Sequence, residues 1–540
     1  MSYEQDDVRL PIIYVRGFAG GAIEGAIEDP FYGFSTGSVH VRANRRGDPT
    51  FHQFESPMLR LMSDMNYEVR VHGDQKRYLD QATDKDIPAA TIWIHRFYDV
   101  SASSIEDDPE KFSLEQAAIN LFGLIKLVRL KTGAPKVFLV AHSMGGLICR
   151  CLLQRVIPEA DVDEQGGHNP RAGEKYVASL FTYATPHGGI RFAVGGGFLE
   201  RLRDFTGLFG ADVFGPDRMY EYLTPDFQKD QEPRRRFKGT VIPEDGYSVS
   251  KIFCLAGSNP GDYKELFGLS SRAVGAKSDG LVQLENAVIE KAHSAIVHRS
   301  HSGRYGIVNS EEGYQNLYRF LFGDLQVTLD LINADVGHQD DSDLEFQLDM
   351  GLAIRGLPVL VHEQTAAHHC PVLVERLEQG EHPVDHPRPL LTTFLSSKAP
   401  RPLDEDGNRV STLRHVLNLR LMSIREKDDD KTDSDHGESS IDMRDHLEQT
   451  ADWEDALVVD ILPGDGESEL PKAWAAWTST LARPVRLWKP REEGEEALVD
   501  VEPDVKDMWV GEVRVPSIAR RLLGAKALIR IAVTPRTKDF

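Results

Sequence analysis

The sequence predicts an α/β protein: a mostly parallel sheet with helices, followed by a second, β-sandwich-like domain. Three observations predict it. Between Leu10 and Phe322, short apolar runs alternate with helix-patterned stretches, the pattern of β–α units in a parallel sheet. Beyond Gly323 the chain turns to short strand-like runs separated by Pro, Gly and acidic loops, with almost no long helical stripe. Between them in importance stands Lys136 to Gly146, KVFLVAHSMGG, where a buried run passes straight into a helix through a sharp turn at Ser143.

At 540 residues the chain exceeds one ordinary core, so two or three domains are expected. The pattern divides it into 1–325, with an insertion at 190–246, and 326–540. Hydrophobic residues are 41% and charged residues 27%, which is the composition of a globular protein. The formal net charge of −23 argues against a nucleic-acid partner and against electrostatic docking on an anionic membrane. It leaves a lipid substrate open, because interfacial contact can be apolar and local. The four cysteines show no metal-ligand spacing, and a reduced, cytosolic setting is expected. No secretory leader precedes Pro11 and no run approaches 18 apolar residues, so export, if any, would use a signal-less route.

In chain order, Leu10 to Val15 (LPIIYV) reads as a strand ending in Arg16-Gly17-Phe18-Ala19-Gly20-Gly21. Its glycines let backbone N–H groups approach a ligand closely. An ordinary Gly-rich turn is the bland alternative; the loop's place after a strand upstream of Ser143 favours an oxyanion loop. Phe54 to Met65 is patterned as a helix, Tyr67 to Val71 and Thr91 to Phe97 as strands. Ser113 is a candidate N-cap for a helix through Leu130, stopped by Gly133.

Val137 to Val140 is the buried strand before Ser143, and Leu147 to Val156 has helical spacing. Small residues at 141 and 145 allow a tight turn, which would expose the Ser143 hydroxyl at a helix N-terminus. The competing reading is a serine that merely caps that helix.

Tyr176 to Tyr183 is the next strand, then Ala184-Thr185-Pro186-His187-Gly188-Gly189. Within 190–246, three glycines at 195–197 precede an amphipathic piece, which suggests a mobile lid; a packed insertion is the alternative. Lys251 to Ala256 and Ala295 to His298 read as strands, and Glu311 to Phe322 as a closing helix. In the second part the predicted strands are 326–331, 344–354, 358–361, 390–395, 416–424, 457–461, 508–515 and 527–533. The charge run 426–438 reads as a solvated loop; a calcium site there is the sharper, weaker reading.

Ester cleavage by serine needs a hydroxyl, a base to take its proton and an acid to hold that base. Ser143, Asp279 and His301 supply these types in the chain order nucleophile, acid, histidine, each in a loop or turn near a predicted strand. Asp262 competes for the acid, and His293 and His298 compete with His301. The expected oxyanion donors are the backbone N–H groups of Phe18 and Met144. Gly17, His142 and His187 are expected beside the substrate, His142 packing against the elbow and His187 either structural or at the pocket wall.

AHSMGG (141–146), YATPHGG (183–189) and SDGLV (278–282), in that order, resemble the lipase branch of the α/β-hydrolase superfamily. Bacterial true lipases, lecithin–cholesterol acyltransferase-like enzymes and the GPI-inositol deacylase-like group share such motifs. The resemblance covers residues 10 to 322. It implies a lid, cleavage of lipid or acyl esters, Asp279 as the acid and His301 as the base. No cofactor or metal is expected, and the partner is a lipid or acyl-ester substrate met at a transient membrane or lipid interface. The sequence departs from that pattern in having Arg16 where a His is common before the oxyanion glycine, and Ala141 in place of Gly.

Overall fold

The structure, a computed structural model, describes residues 9–17, 38–43, 49–54, 56–70, 75–95, 113–190, 211–230, 234–260, 277–302, 306–336, 344–374, 386–398, 401, 403, 407, 409–425, 451–464 and 470–536. They divide into two compact units, one drawn from 1–294 and 298–317 and the other from 295–297 and 318–539.

In the first unit, β1 (Ile12–Val15) is followed by an antiparallel hairpin, β2 (Ser38–Ala43) and β3 (Pro49–Phe54), which the sequence pattern does not announce. Then come α1 (Pro57–Met65), β4 (Glu68–Val69), α2 (Gln75–Gln81), β5 (Thr91–His95) and α3 (Leu114–Thr132). Helix α3 starts and stops where its caps dictate. The Ser113 hydroxyl accepts from the Gln116 N–H, and Gly133 takes the left-handed conformation at φ 69°.

The central pair is β6 (Val137–His142) and α4 (Met144–Cys151). Helix α4 runs on through a π-helical turn at Leu152–Val156 into α5 (Ile157–Ala160), so it is longer and less regular than a single stripe predicts. Strand β7 (Val177–Tyr183), helix α6 (Pro216–Leu223), strand β8 (Ile252–Gly257), strand β9 (His293–Val297) and helix α7 (Glu311–Phe322) follow among the described residues.

The seven-stranded sheet has the order β4-β5-β1-β6-β7-β8-β9. The pairs β4–β5, β1–β5, β1–β6, β6–β7 and β7–β8 are all parallel. Its strands read as continuous apolar runs because both faces are covered: every residue of β1, β7 and β8 is buried. The parallel register aligns Val15 with Ala141 and His142 with Tyr183, which brings the carboxyl ends of β1, β6 and β7 to one edge. Loops leaving that edge are where an open α/β sheet binds its ligands.

The second unit holds β10 (Leu325–Ile332), β11 (Leu344–Ile354), β12 (Leu360–Gln364), β13 (Val372–Val374), β14 (Arg388–Leu395), β15 (Leu413–Arg425), β16 (Trp453–Leu462), β17 (Lys472–Trp477), β18 (Trp509–Arg514) and β19 (Leu528–Pro535). Among the described residues one short α-helix, α8 (Ser517–Leu523), interrupts them. Two antiparallel sheets form, β14-β10-β19-β18 and β12-β11-β15-β16-β17, with β13 paired to β11. Alternate residues of β10 point inward, and Val327, Leu329 and Leu331 share one core with Phe346, Leu348, Leu417 and Leu457 of the other sheet. Two sheets face to face over one core make a sandwich. The predicted strands all recur with ends shifted by a few residues; β13 and β17 are additions. The charge run 426–438 lies outside the described residues.

Candidate active site

Ser143 occupies the turn between β6 and α4 with φ 55° and ψ −130°, a conformation that a side-chain-bearing residue takes only under constraint. The constraint is visible on every side. The Ser143 N–H donates to the Tyr183 carbonyl at 2.9 Å, and the Ser143 carbonyl accepts from the Gly146 N–H at 3.0 Å and from the Thr185 hydroxyl at 2.9 Å. A Cβ on Gly145 would overlap the Val15 carbonyl, and one on Gly146 would overlap Thr185, so the helix start is pressed onto both neighbouring strand ends. The serine side chain makes no cap bond to α4, which excludes the capping role.

The hydroxyl is turned to a histidine instead. Ser143 Oγ lies 2.9 Å from His301 Nε2, and His301 Nδ1 lies 2.9 Å from Asp279 Oδ2. All three residues are buried, Asp279 to 1% exposure. A carboxylate only accepts, so Nδ1 carries the proton and Nε2 is left to accept from the serine. The other carboxylate oxygen, Oδ1, accepts from the Leu281 and Val282 N–H groups at 3.0 and 2.7 Å. Asp279 is thereby fixed by its own Asp-Gly turn, in which Gly280 takes φ +97°. The His301 N–H also donates to the Asp279 carbonyl at 3.0 Å, tying the two loops together by backbone.

Two contacts hold the histidine loop that the sequence pattern did not single out. Arg299, two residues before His301, makes a bidentate ion pair with Glu312 of α7, with Nε–Oε2 and Nη2–Oε1 both 3.0 Å and both side chains buried. His142 Nε2 lies 2.9 Å from the His301 carbonyl, and the two rings sit 5.0 Å apart. A carbonyl only accepts, so His142 donates there as a neutral imidazole. Burial first, then the neighbouring His301, push its pKa down to about 3, and the positive charge of Arg16 adds to the effect. His142 therefore holds the His301 backbone as a neutral donor.

Gly17 stands directly against the serine. A Cβ there would overlap Ser143 Cβ and come within 2.8 Å of the His142 carbonyl and 3.1 Å of Ser143 Oγ. Met144 is buried at the first position of α4, where helical geometry leaves the backbone N–H without an intrahelical partner. Phe18 and Asp262 lie outside the described residues, as do positions 191–210 of the insertion, which contain the glycine run and the amphipathic piece.

The competing histidines are placed elsewhere. His298 Nδ1 lies 3.3 Å from the Ser258 hydroxyl, and His293 opens β9. His187 is packed inside the first unit. Its ring is fully buried, with Nε2 3.1 Å from Thr182 Oγ1 and 3.6 Å from Cys254 Sγ, and burial holds its pKa well below the ordinary value. The ring is buried there because the TPHGG turn folds inward against β7 and β8.

The described part of the insertion is anchored. Arg218 forks onto Glu115 at 2.7 and 2.6 Å, and Arg155 donates to the Glu221 carbonyl at 2.6 Å. The buried Arg150 guanidinium donates to the carbonyls of His187, Gly239 and Val241 at 3.0, 2.6 and 3.4 Å.

A parallel sheet of this order, a strained serine between strand and helix, and an Asp–His pair delivered by later loops define an α/β-hydrolase fold. No protein-family model matches the chain, and no curated protein matches it. Among solved structures it is similar to a Bacillus licheniformis lipase, BlEst2 in mature form, at 17% identity over 58% of this chain and 92% of that one, with a TM-score of 0.29. It is also similar to phospholipase PlaB from Legionella pneumophila in complex with thio-NAD, at 13% identity over 78% of this chain and 90% of that one, TM-score 0.27. A third is the lin2722 gene product of Listeria innocua, at 13% identity over 58% and 94%, TM-score 0.25.

Proposed function

We propose that the chain is a serine hydrolase that cleaves carboxylic esters of lipids through an acyl-enzyme on Ser143. The observation that carries this reading is the unbroken relay Ser143 Oγ, His301 Nε2, His301 Nδ1, Asp279 Oδ2, with both links at 2.9 Å.

Ser143 Oγ attacks the ester carbonyl carbon while His301 Nε2 takes the hydroxyl proton. Negative charge collects on the former carbonyl oxygen, where the Met144 N–H and the α4 N-terminus stabilise it; one such donor is worth about 10²–10³ in rate. Asp279 holds the imidazolium that forms. Nε2–H then protonates the departing alcohol as the C–O bond breaks and the acyl group stays on Ser143. Water, deprotonated by the same Nε2, attacks the acyl carbonyl, and collapse returns the proton to Ser143 Oγ with release of the acid.

The lipid class rests on the likeness of AHSMGG, YATPHGG and SDGLV to the lipase branch. Fatty-acid release from mixed phospholipid and triacylglycerol emulsions by the full chain, beside hydrolysis of a short nitrophenyl ester, tests it. Release from lipid supports the reading; turnover of the short ester alone makes the protein a small-ester carboxylesterase, and turnover of neither overturns hydrolysis.

A further inference from the structure

A cavity of about 400 Å³ opens in the first unit, lined by the π-helical turn after α4 and by the described part of the insertion. That volume is typical of sites that hold a small molecule. Leu223 and Phe237 with three prolines make an apolar wall; Gln154, Gln228, Arg236 and Lys238 make a polar one. Among the described residues no carboxylate lines it, in a chain whose acidic residues outnumber its basic ones by 85 to 62.

The floor is built to donate. Gln154 is only 8% exposed, and its Oε1 accepts from Arg150 Nε at 2.8 Å. Because arginine can only donate, the carboxamide has one possible orientation, with Nε2 on the other side. Among the described residues that amide nitrogen has no partner. Arg150 itself is 1% exposed and donates to Gln154 and three backbone carbonyls, with no carboxylate paired to it among the described residues. A fixed positive charge thus lies directly behind the cavity floor, and Val241, whose carbonyl it holds, is part of the lining.

At the rim, Arg236 is exposed and has no ion-pair partner among the described residues, whereas the adjacent Arg234 is occupied by Glu221. Two acids temper the field. Glu290 pairs with Lys238 at 2.6 Å, and Asp245 accepts from Gln228 Nε2 at 3.2 Å; among the described residues the charges of Arg236 and Arg150 have no carboxylate partner.

We propose that this cavity binds a phosphate ester: Arg236 and Gln154 Nε2 take the phosphoryl oxygens, Lys238, though paired with Glu290, offers a further N–H donor, and the Leu223–Phe237 wall receives the apolar remainder. Arginine's planar fork matches a phosphoryl group, and a donor-only lining with an apolar flank suits an anionic head on a carbon body. Gln154 lies eleven residues beyond Ser143 along one helical run, about 16 Å at 1.5 Å per residue, so this site is distinct from the serine centre. The ligand chemistry has two natural sources, a soluble phosphate ester or a phospholipid head group.

The test uses the full chain carrying Ser143→Ala, so that ester turnover, present or absent, does not enter the readout. Calorimetry with glycerol 3-phosphate and sedimentation with vesicles of phosphatidylcholine and phosphatidylglycerol measure the two sources. Binding to either probe is expected to weaken about tenfold in Arg236→Gln, to weaken further when Lys238→Gln is added, and to stay unchanged in Arg235→Gln, whose side chain is exposed but outside the cavity. Heat with glycerol 3-phosphate marks a soluble ligand; binding to vesicles alone marks the head group. No binding to either probe, or equal weakening by Arg235→Gln and Arg236→Gln, overturns the proposal, the second result meaning diffuse surface charge. Near-ultraviolet circular dichroism confirms that the exposed-residue variants are folded.

Discussion

Ser143 Oγ and His301 Nε2 lie 2.9 Å apart although 158 residues separate them in the chain. What closes that distance is the sheet: β6 delivers the serine, the loops after β8 and β9 deliver the acid and the histidine, and two cross-links, Arg299–Glu312 and His142–His301, lock the last loop. Each part of this construction has its own consequence.

The acid's geometry predicts an outcome for Asp279→Asn. Asn Oδ1 can keep the Leu281 and Val282 N–H bonds, which leaves the amide NH₂ facing His301 Nδ1. The ring must then place its proton on Nε2 and point a donor at the serine. Esterase kcat is expected to fall about 10⁴-fold with little change in melting temperature. Steady-state kinetics with a nitrophenyl ester check it.

Gly17→Ala puts a methyl group where Ser143 Cβ already is. The serine or the β1 loop must shift, and misplacement on the scale of 1 Å costs about 10² in rate. The expected result is a loss of that order in kcat/KM, with thermal unfolding close to wild type.

Removing one partner of the buried Arg299–Glu312 pair strands the other charge. Arg299→Met and Glu312→Leu should each cost about 3–5 kcal/mol, and the double variant much less than their sum. Its kcat should nevertheless stay reduced, because the His301 loop has lost its tie to α7. Urea unfolding and kinetics on all four proteins separate the two effects.

Buried histidines set the acid limit of stability. Burial pushes His95, His362 and His415 down to about 4. The unfolded chain takes up protons near pH 6.5 while the folded chain does not, so stability is full above that value and falls as pH drops towards 4. Each group contributes a slope of about 1.4 kcal/mol per pH unit. In a His415→Leu variant the fall in unfolding free energy between pH 6.5 and 5 should be smaller than in wild type by about 1.6 kcal/mol. Denaturant titrations at several pH values measure it.

The fold was legible because its strands are short apolar runs with no competing helical pattern, and helix α7 ends where its apolar stripe ends. Ser143, Asp279 and His301 were legible through residue type, chain order and turn context. Arg299, Glu312 and the Arg150–Gln154 network were not, since a buried ion pair or a cation capped by carbonyls leaves no periodic trace. For His187 the sequence left a structural place and a pocket wall both open, and only the inward fold of the 184–189 turn shows its ring to be buried. The β2–β3 hairpin escaped because its apolar residues only alternate with polar ones over two short strands, SVHVRA and PTFHQF, and leave no continuous apolar run.

The most direct test is covalent. The full chain is treated with a fluorophosphonate, digested, and the modified peptide mapped by mass spectrometry. A phosphonyl adduct on Ser143, absent after Ser143→Ala and strongly slowed in Asp279→Asn, is the predicted result. An unmodified Ser143 in folded protein, or labelling of another serine at equal rate, would contradict the proposed hydrolase.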